Sequence, residues 1–178
     1  MSKPILVDSS SPSLRVTCQS VGELTKRMRR ELANLSKFVE GEDHAIAVAA
    51  SQLGIPLRAF AYRRVDGSVK IVCDPRVTWT SADVEDEAVV DEDGMTPKLI
   101  PQWEQCLSLP GFKFLVSRPY AIKVEYTNER GVHKRETLTD FSARVFLHEL
   151  DHMDGILISD RGEQMADVTE DEERTLSL

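Results

Sequence analysis

The chain has 178 residues, of which 41% are hydrophobic and 29% are charged. This length allows one domain with a sizeable buried core, and the composition is too apolar for an intrinsically disordered protein. No apolar run approaches the ~18 residues of a membrane-spanning helix, and the N-terminus lacks the apolar segment of a secretory signal. The chain has three cysteines, an odd number. We therefore expect a cytoplasmic protein with reduced thiols and not an exported disulfide scaffold.

The formal net charge of −8 is concentrated in two short segments. Seven acidic residues lie between Asp83 and Asp93 and five between Asp167 and Glu173, and neither segment contains Lys or Arg. With these twelve set aside, 22 basic residues stand against 18 acidic ones, so the remainder is slightly basic. We interpret the segments as a solvated acidic insertion at about 81–101 and a solvated acidic tail at about 163–178, both within one domain spanning 1–178.

The first half of the chain predicts one helix and several short strands. Ser20 and Glu23 form a capping-box pattern, apolar residues follow at helical spacing, and Gly41 is the expected C-cap. Strand-like segments bounded by turn residues lie at 45–50, 59–64 and 68–73. The first closes in a turn at Gln52, Gly54 and Pro56, and Asp74 and Pro75 end the third.

The second half predicts a hairpin and a buried helix. Apolar residues alternate with polar ones from 120 to 126, and a turn at 127–131 leads to a partner strand at 132–138, whereas 103–111 is too irregular for a prediction. A helix follows at 141–154, with Thr139 or Asp140 as N-cap, Gly155 as C-cap and a broad apolar face that we expect to pack on the sheet. Strands that precede a late buried helix indicate an α+β fold.

This last helix carries the pattern His148-Glu149-Leu150-Asp151-His152. Residues four apart share one helical face, so both imidazoles can reach one metal ion while Glu149 stands beside it. A catalytic zinc-like centre usually needs a third protein ligand. Glu163 and Glu170 downstream and Cys106 upstream are the candidates, and the residues alone leave the choice open.

Three segments, taken in chain order, resemble the motifs of the peptide deformylase family. They read A-I-A-V-A-A-S-Q at 45–52, E-Q-C-L-S at 104–108 and H-E-L-D-H at 148–152. The corresponding family patterns are G-x-G-x-A-A-x-Q, E-G-C-L-S and H-E-x-D-H. The resemblance covers most of residues 5 to 160, and three motifs in the family's order are specific evidence.

The resemblance implies an α+β fold with antiparallel β-sheets around a central metal-binding helix. It implies that Cys106, His148 and His152 bind one divalent metal ion, Fe(II) or in its place Zn(II), Ni(II) or Co(II). Glu149 would be the general base and later the general acid, while the Gln52 amide and the Leu107 backbone N–H would stabilise the oxyanion. The implied activity is hydrolysis of the N-formyl group from the formylmethionine of newly made peptides, with release of formate.

The chain departs from the family patterns at four positions. Ala45 and Ala47 replace two glycines, and we expect their methyl groups to narrow the peptide groove. Gln105 replaces the glycine before the cysteine, and Leu147 replaces the glutamine that commonly precedes the first histidine. The hydrolytic residues are thus complete and their surroundings are divergent.

The roles of two further residues near the metal residues stay open. Arg118 either holds Glu104 or is a solvated arginine, and Asp151 either orients a metal ligand, pairs with an arginine or is an acid on the helix surface. Cys18, Cys73, His44 and His133 belong to none of the three motifs, and we assign them no role in the site.

Other functions remain open on the sequence alone. The same centre would serve a hydrolase of another N-acyl group or a peptidase, and a catalytically silent family member would retain only metal binding. The expected partner is an N-formylated peptide or nascent-chain N-terminus, with neither membrane binding nor direct recognition of nucleic acid. A transient ribosome contact stays open, although the short acidic tail lacks the basic helix by which some deformylases approach the ribosome.

Overall fold

The computed structural model describes residues 5–83, 88–91 and 94–169. This part of the chain contains three α-helices and ten β-strands. The helices are α1 Lys26–Gly41, α2 Asp140–Met153 and α3 Ile158–Arg161. The strands are β1 Ala47–Ala49, β2 Ala59–Arg63, β3 Val69–Thr80, β4 Ala88–Asp91, β5 Gly94–Pro97, β6 Leu99–Gln105, β7 Phe112–Pro119, β8 Ala121–Thr127, β9 His133–Thr139 and β10 Gln164–Asp167.

The strands form three sheets in which every strand pairing is antiparallel. A five-stranded sheet has the order β1-β2-β3-β8-β9, a three-stranded sheet has the order β10-β7-β6, and β4 pairs with β5. These sheets with few helices confirm the predicted α+β class. Within the described ranges, no helix combines the length and the apolar character needed to cross a membrane.

Helices α1 and α2 pack on opposite faces of the five-stranded sheet. Ala59 and Ala61 of β2 lie in one core cluster with Leu35 of α1. Phe60 between them lies in another cluster with Phe146 of α2, and the two phenyl rings meet edge to face at 5.1 Å between centroids. Because successive strand residues point to opposite faces, β2 serves both helices. The predicted packing of α2 on the sheet is confirmed.

The two predicted ends of α2 differ little from the structure. The helix begins at Asp140 with Thr139 as N-cap, and Asp154 is the C-cap. Gly155, the predicted cap, follows one position later with a φ of +75°. A Cβ atom at Gly155 would lie 3.0 Å from the backbone carbon of Arg15, so this position requires glycine for both conformation and space.

The predicted start of α1 at Ser20 is wrong. The helix begins at Lys26, and the side chain of Thr25 caps it by accepting a hydrogen bond from the Met28 backbone N–H. The preceding backbone is held elsewhere, since the Asp74 carboxylate accepts hydrogen bonds from the N–H groups of Val21 and Gly22 at 2.8 and 3.2 Å. Those two donors therefore do not need a helical capping box.

The predicted end of the strand at 68–73 is also wrong. Strand β3 continues through Asp74 and Pro75 to Thr80. Its register against β8 shifts between Cys73 and Arg76, and Asp74 has a φ of +50°. Proline is tolerated inside a sheet at such an irregularity because no ladder hydrogen bond is needed from it there.

Four other features complete the comparison with the predicted elements. The predicted strand at 59–64 and the hairpin of 120–126 with 132–138 are confirmed as β2 and as β8 paired with β9. The extended segment at 45–50 contains β1 and then closes in a 3₁₀ turn that holds Gln52. The irregular segment 103–111 holds the end of β6, which the sequence did not predict.

The acidic insertion and tail contain more regular structure than we predicted. Strands β4 and β5 lie within 81–101, and β6 begins there at Leu99 and pairs with β7. Residues 84–87 and 92–93 lie outside the described residues, as do 170–178 of the tail. The tail residues 164–167 form β10 on the free edge of β7. These strands do not contradict the predicted solvation of the acidic residues, since three of the four residues of β10 are exposed.

Candidate metal centre

Three separate segments bring the predicted site residues together. Gln52 comes from the turn after β1, Cys106 and Leu107 come directly after β6, and α2 supplies the remaining three. Of these six residues, five are at most 3% exposed and Leu107 is partly buried. The five are Gln52, Cys106, His148, Glu149 and His152.

Cys106, His148 and His152 form the candidate metal ligand set. Each residue places one possible ligand atom within 4.8 Å of the other two. The Cys106 Sγ lies 3.3 Å from His152 Nε2, and the two imidazole rings lie 5.0 Å apart between centroids. Residues four apart on α2 share a face, and for this reason the helix presents both rings to the thiol. The sulfur and two ring nitrogens suit a zinc-like or iron-like divalent ion.

Unpartnered polar atoms support this assignment. Within the described part of the chain, His148 Nε2, His152 Nδ1 and both carboxylate oxygens of Glu149 are buried without a hydrogen-bond partner. Buried polar atoms are almost always partnered, so the unpartnered His148 Nε2 and Glu149 carboxylate call for a ligand, an ion or water. The residues present therefore fit a bound metal ion.

Burial controls the ionisation of the site residues. It raises the pKa of the Cys106 thiol to about 12, and it raises the pKa of Glu149 well above its ordinary value. Burial, aided by the nearby His148 and Arg118, lowers the pKa of His152 well below its ordinary value. The isolated site is thus close to neutral, and a cation would be needed to favour the thiolate.

Gln52 is held by both ends of its amide group. The Oε1 atom accepts a hydrogen bond from the Ala49 backbone N–H at 2.8 Å. The Nε2 atom donates to Ser108 Oγ at 3.3 Å and lies 3.7 Å from Cys106 Sγ. This anchoring fixes which end of the amide faces the Cys106 loop.

A buried network of charged groups supports His148. Glu104 Oε2 lies 3.0 Å from His148 Nδ1, and Arg118 donates to both oxygens of Glu104 at 2.6 and 2.9 Å. Although burial opposes ionisation, hydrogen bonds from Arg118 and His148 hold the pKa of Glu104 far below its ordinary value. The structure thus contains the expected contact of Arg118 with Glu104.

Asp151 completes the network on the next turn of α2. Its carboxylate accepts hydrogen bonds from Arg118 at 2.8 Å and from Arg161 at 2.7 Å. The expected pairing of Asp151 with an arginine is therefore present, and it involves two arginines. Arg118 therefore links Glu104, the partner of His148, to Asp151 on the helix that carries His148.

Sequence reasoning missed Arg144 and Arg161. Arg144 is 4% exposed and donates to Glu104 Oε1 at 2.6 Å. It precedes His148 by four residues, so its place on the metal-binding face of α2 was detectable from helical spacing. Arg161 lies beyond α2 on α3, and no local pattern linked it to Asp151.

Of the two other candidates for the third ligand, Glu163 is among the described residues and lies outside the ligand set. Glu163 is exposed and accepts a hydrogen bond from Ser117 Oγ at 2.8 Å. Glu170 lies outside the described residues.

The expectation that Ala45 and Ala47 narrow the groove is wrong. Both residues have 0% exposure. Ala45 belongs to the core cluster on the α1 side, and Ala47 packs in a cluster with Val145 of α2. Their methyl groups therefore fill the interior and do not stand on an open surface.

A groove with a volume of about 820 Å³ lies beside the N-terminal part of α2. Its apolar wall includes Ile46 from the segment before β1, Leu138 of β9, and Phe141 and Val145 of α2, and its polar wall includes Arg64, Lys70 and Glu136. Val145 precedes Glu149 by one helical turn. The groove thus begins close to the candidate metal centre along the helix.

Comparison with known proteins decides the family. The sequence profile of the polypeptide deformylase family matches residues 3–168. The chain belongs to this family. Membership confirms the family and the enzyme class that the sequence predicts.

Curated deformylases show the extent of the likeness. The peptide deformylase of Thermotoga maritima is 31% identical over 150 residues, which are 84% of this chain and 81% of that protein. Peptide deformylase 2 of Nostoc sp. is 48% identical over 84 residues, which are 47% of this chain and 47% of that protein.

Solved deformylase structures share the fold. The crystal structure of the Thermotoga maritima enzyme superposes with a TM-score of 0.77 at 26% identity and covers 92% of this chain and 100% of that one. A Synechococcus elongatus peptide deformylase in complex with actinonin gives a TM-score of 0.73 at 25% identity, covering 92% of this chain and 82% of that one.

Proposed function

We propose that this deformylase family member hydrolyses the N-formyl group of N-terminal formylmethionine in newly made peptides. The observation that carries the proposal is the buried set of Cys106, His148 and His152 with the unpartnered Glu149 carboxylate beside it. A centre that only bound metal would have no need of this carboxylate, which is costly to bury without a partner.

We propose Cys106, His148 and His152 as ligands of one divalent ion, with Fe(II) as the native metal. The family resemblance favours Fe(II), while the donor set would also accept Zn(II), Ni(II) or Co(II). When bound there, the ion would supply Lewis acidity that lowers the pKa of water and polarises the formyl carbonyl.

Glu149 is the proposed general base and acid. It takes a proton from the attacking water as the water oxygen bonds to the formyl carbon. It then delivers that proton to the amide nitrogen as the C–N bond breaks, so that formate and a free amine leave. Burial, which raises the pKa of the Glu149 carboxyl, makes its carboxylate a stronger base.

Gln52 and the backbone N–H of Leu107 are the proposed donors to the oxyanion. The contact between Gln52 Oε1 and the Ala49 N–H orients the amide, and its Nε2 end lies toward Cys106. One such donor contributes roughly 3 kcal/mol of transition-state stabilisation in other hydrolases.

The groove beside α2 is the proposed site for the formylated residue. Its apolar wall of Ile46, Leu138, Phe141 and Val145 suits an unbranched methionine side chain. The wall begins one turn before Glu149 on the same helix, so a side chain in the groove would leave the formyl group close to the proposed base.

The cytoplasm is the proposed location, and a transient ribosome contact is proposed with it. Three free, buried cysteines agree with a reducing compartment. Substrates that are nascent chains would bring the enzyme to the ribosome, but the described tail residues 164–167 form a strand and not a docking helix.

Formate release from formyl-Met-Ala-Ser tests the proposed function. Metal-free protein is loaded without oxygen with Fe(II), Ni(II), Co(II) or Zn(II), and we expect turnover that Glu149→Gln removes. Activity confined to other N-acyl peptides or to internal peptide bonds would replace the proposal with another hydrolase. Tight metal uptake without turnover on any acylated peptide would replace it with a silent metal-binding protein.

A further inference from the structure

Arg144 lies on the metal-binding face of α2, four residues before His148 and eight before His152. It is 4% exposed, so its guanidinium group is shielded from water. A buried charge is stable only when it is paired and its hydrogen-bond donors are used. The partners of Arg144 therefore show what its burial accomplishes.

Those partners all lie on the two strands that precede and follow the Cys106 loop. The Nη1 atom donates to Glu104 Oε1 at 2.6 Å and to the Val116 carbonyl at 3.0 Å. The Nη2 atom donates to the Ile100 carbonyl at 2.6 Å. Glu104 and Ile100 belong to β6 and Val116 belongs to β7, so one side chain of α2 holds both strands of the hairpin.

Arg118 provides a second connection, which runs from the hairpin to the helix. It lies on β7 and reaches Asp151 of α2 at 2.8 Å, near the C-terminal end of the metal-binding face. Arg144 makes its contacts from the N-terminal part of the same face. The two arginines thus fix the hairpin that carries Cys106 to α2 on both sides of His148, in addition to the contact of Glu104 with His148 itself.

We propose that Arg144 is a positioning residue that fixes the β6–β7 hairpin against α2 and so sets the place of Cys106 relative to His148 and His152. The inference rests on the proposed metal centre. A guanidinium group is suited to this task because its planar donors reach three acceptors in different directions, whereas a lysine ammonium acts as a point charge.

The test uses two substitutions and two controls. Arg144→Met removes every donor at similar length, and Arg144→Lys keeps the charge without the fork. Arg161→Met removes another arginine of the same network. Arg161 is 49% exposed, and its guanidinium contacts Asp151. Leu32→Ala, a core change on α1, which packs on the face of the five-stranded sheet opposite to α2, controls for lost stability.

Co(II) binding probes the metal site, and labelling of the Cys106 thiol probes the hairpin in metal-free protein. Apparent Co(II) affinity is measured by competition with a chelator, and the visible absorption of bound Co(II) reports ligand geometry. In metal-free protein, thiol labelling followed by peptide mapping gives the modification rate of Cys106, which is 3% exposed in the native fold.

For Arg144→Met we expect Co(II) affinity to fall on the order of 10- to 100-fold, as for other residues that orient ligands. We also expect an altered Co(II) spectrum and faster labelling of Cys106, with Arg144→Lys between this variant and the wild type. Leu32→Ala should lower the melting temperature while keeping the wild-type spectrum and affinity, and Arg161→Met should change the affinity less than Arg144→Met.

Wild-type affinity, spectrum and Cys106 labelling in a folded Arg144→Met protein would overturn the inference. If that variant does not fold, the same three results in Arg144→Lys overturn it. A wild-type protein that binds no Co(II) would instead overturn the metal centre, and Cys106 labelling in metal-free protein would still decide whether Arg144 holds the hairpin.

Discussion

Glu104 and His148 meet through one carboxylate oxygen and one ring nitrogen, at 3.0 Å. This contact uses Nδ1 of the imidazole, while Nε2 has no partner in the described part of the chain. An ionised carboxylate accepts hydrogen bonds only, so the contact favours the tautomer with the proton on Nδ1 and leaves the Nε2 lone pair for a metal.

Glu104→Gln should therefore weaken metal binding. The neutral amide removes the charge that Arg118 and Arg144 now surround and makes a weaker acceptor for His148 Nδ1–H. We expect zinc affinity, measured by competition with a chelator, to fall on the order of 10-fold or more. Glu125→Gln is the matched control because Glu125 pairs with the exposed Arg76 on the surface, and unchanged affinity in Glu104→Gln would contradict the role.

Glu149→Gln should separate metal binding from catalysis. The amide cannot accept the water proton, so we expect the rate of formate release to fall about 10²- to 10⁴-fold. Metal content, measured by elemental analysis, should stay at the wild-type level because Glu149 is not among the three proposed ligands. Asp154→Asn, at the exposed end of α2, should retain activity; full activity in Glu149→Gln would assign the base elsewhere.

Removal of the metal should lower thermal stability. An ion that binds only the folded chain, at a free concentration ~1,000 times its dissociation constant, stabilises it by about 4 kcal/mol, or roughly 10 °C for a chain of this size. Calorimetry with zinc and then with excess chelator measures the change in melting temperature. His152→Ala should abolish this metal-dependent change, and an equal change in that variant would argue against His152 as a ligand.

Asp74 should contribute to stability through the backbone before α1. Asp74→Ala leaves the N–H groups of Val21 and Gly22 without their carboxylate acceptor, and we expect unfolding free energy to fall by about 1–3 kcal/mol in urea titrations. Asp74→Asn keeps one acceptor oxygen and should lose less. Asp66→Ala, an exposed turn residue that bonds to Ser68, is the control and should change stability little.

Phe141→Ala should affect substrate binding and not the chemical step. Phe141 is 48% exposed and lines the proposed methionine groove, so its loss should raise KM for formyl-Met peptides by up to about tenfold, equivalent to about 1.4 kcal/mol. The value of kcat should remain near that of the wild type. Phe112→Ala removes a comparably exposed ring on β7, and an equal rise in KM there would show that the effect is not specific to the groove.

Local patterns predicted the elements that local interactions determine. The α2 helix, the β8–β9 hairpin and β2 followed from apolar periodicity and turn residues in their own segments. The start of α1 did not, because Asp74, which is distant in the chain, supplies the acceptors for Val21 and Gly22. The course of β3 through Pro75 likewise depends on a register shift that a single strand does not reveal.

The site was predictable to different degrees. The spacing of His148 and His152 alone indicated two ligands on one helical face. Nothing local to Cys106 or Gln52 indicated that they approach those histidines, and only the family resemblance placed them there. Arg144 was detectable from its spacing to His148, yet its pairing with Glu104 depends on how β6 packs on α2.

The separation of the candidate ligands along the chain has a consequence for biosynthesis. Cys106 and His152 are 46 residues apart, and the segment between them contains β7, β8, β9 and nearly all of α2. A ribosome-bound chain that stops before α2 would hold the cysteine alone and have no site to load. An enzyme proposed to trim other proteins at the first residue they expose would thus gain its own metal only after most of its chain had been made.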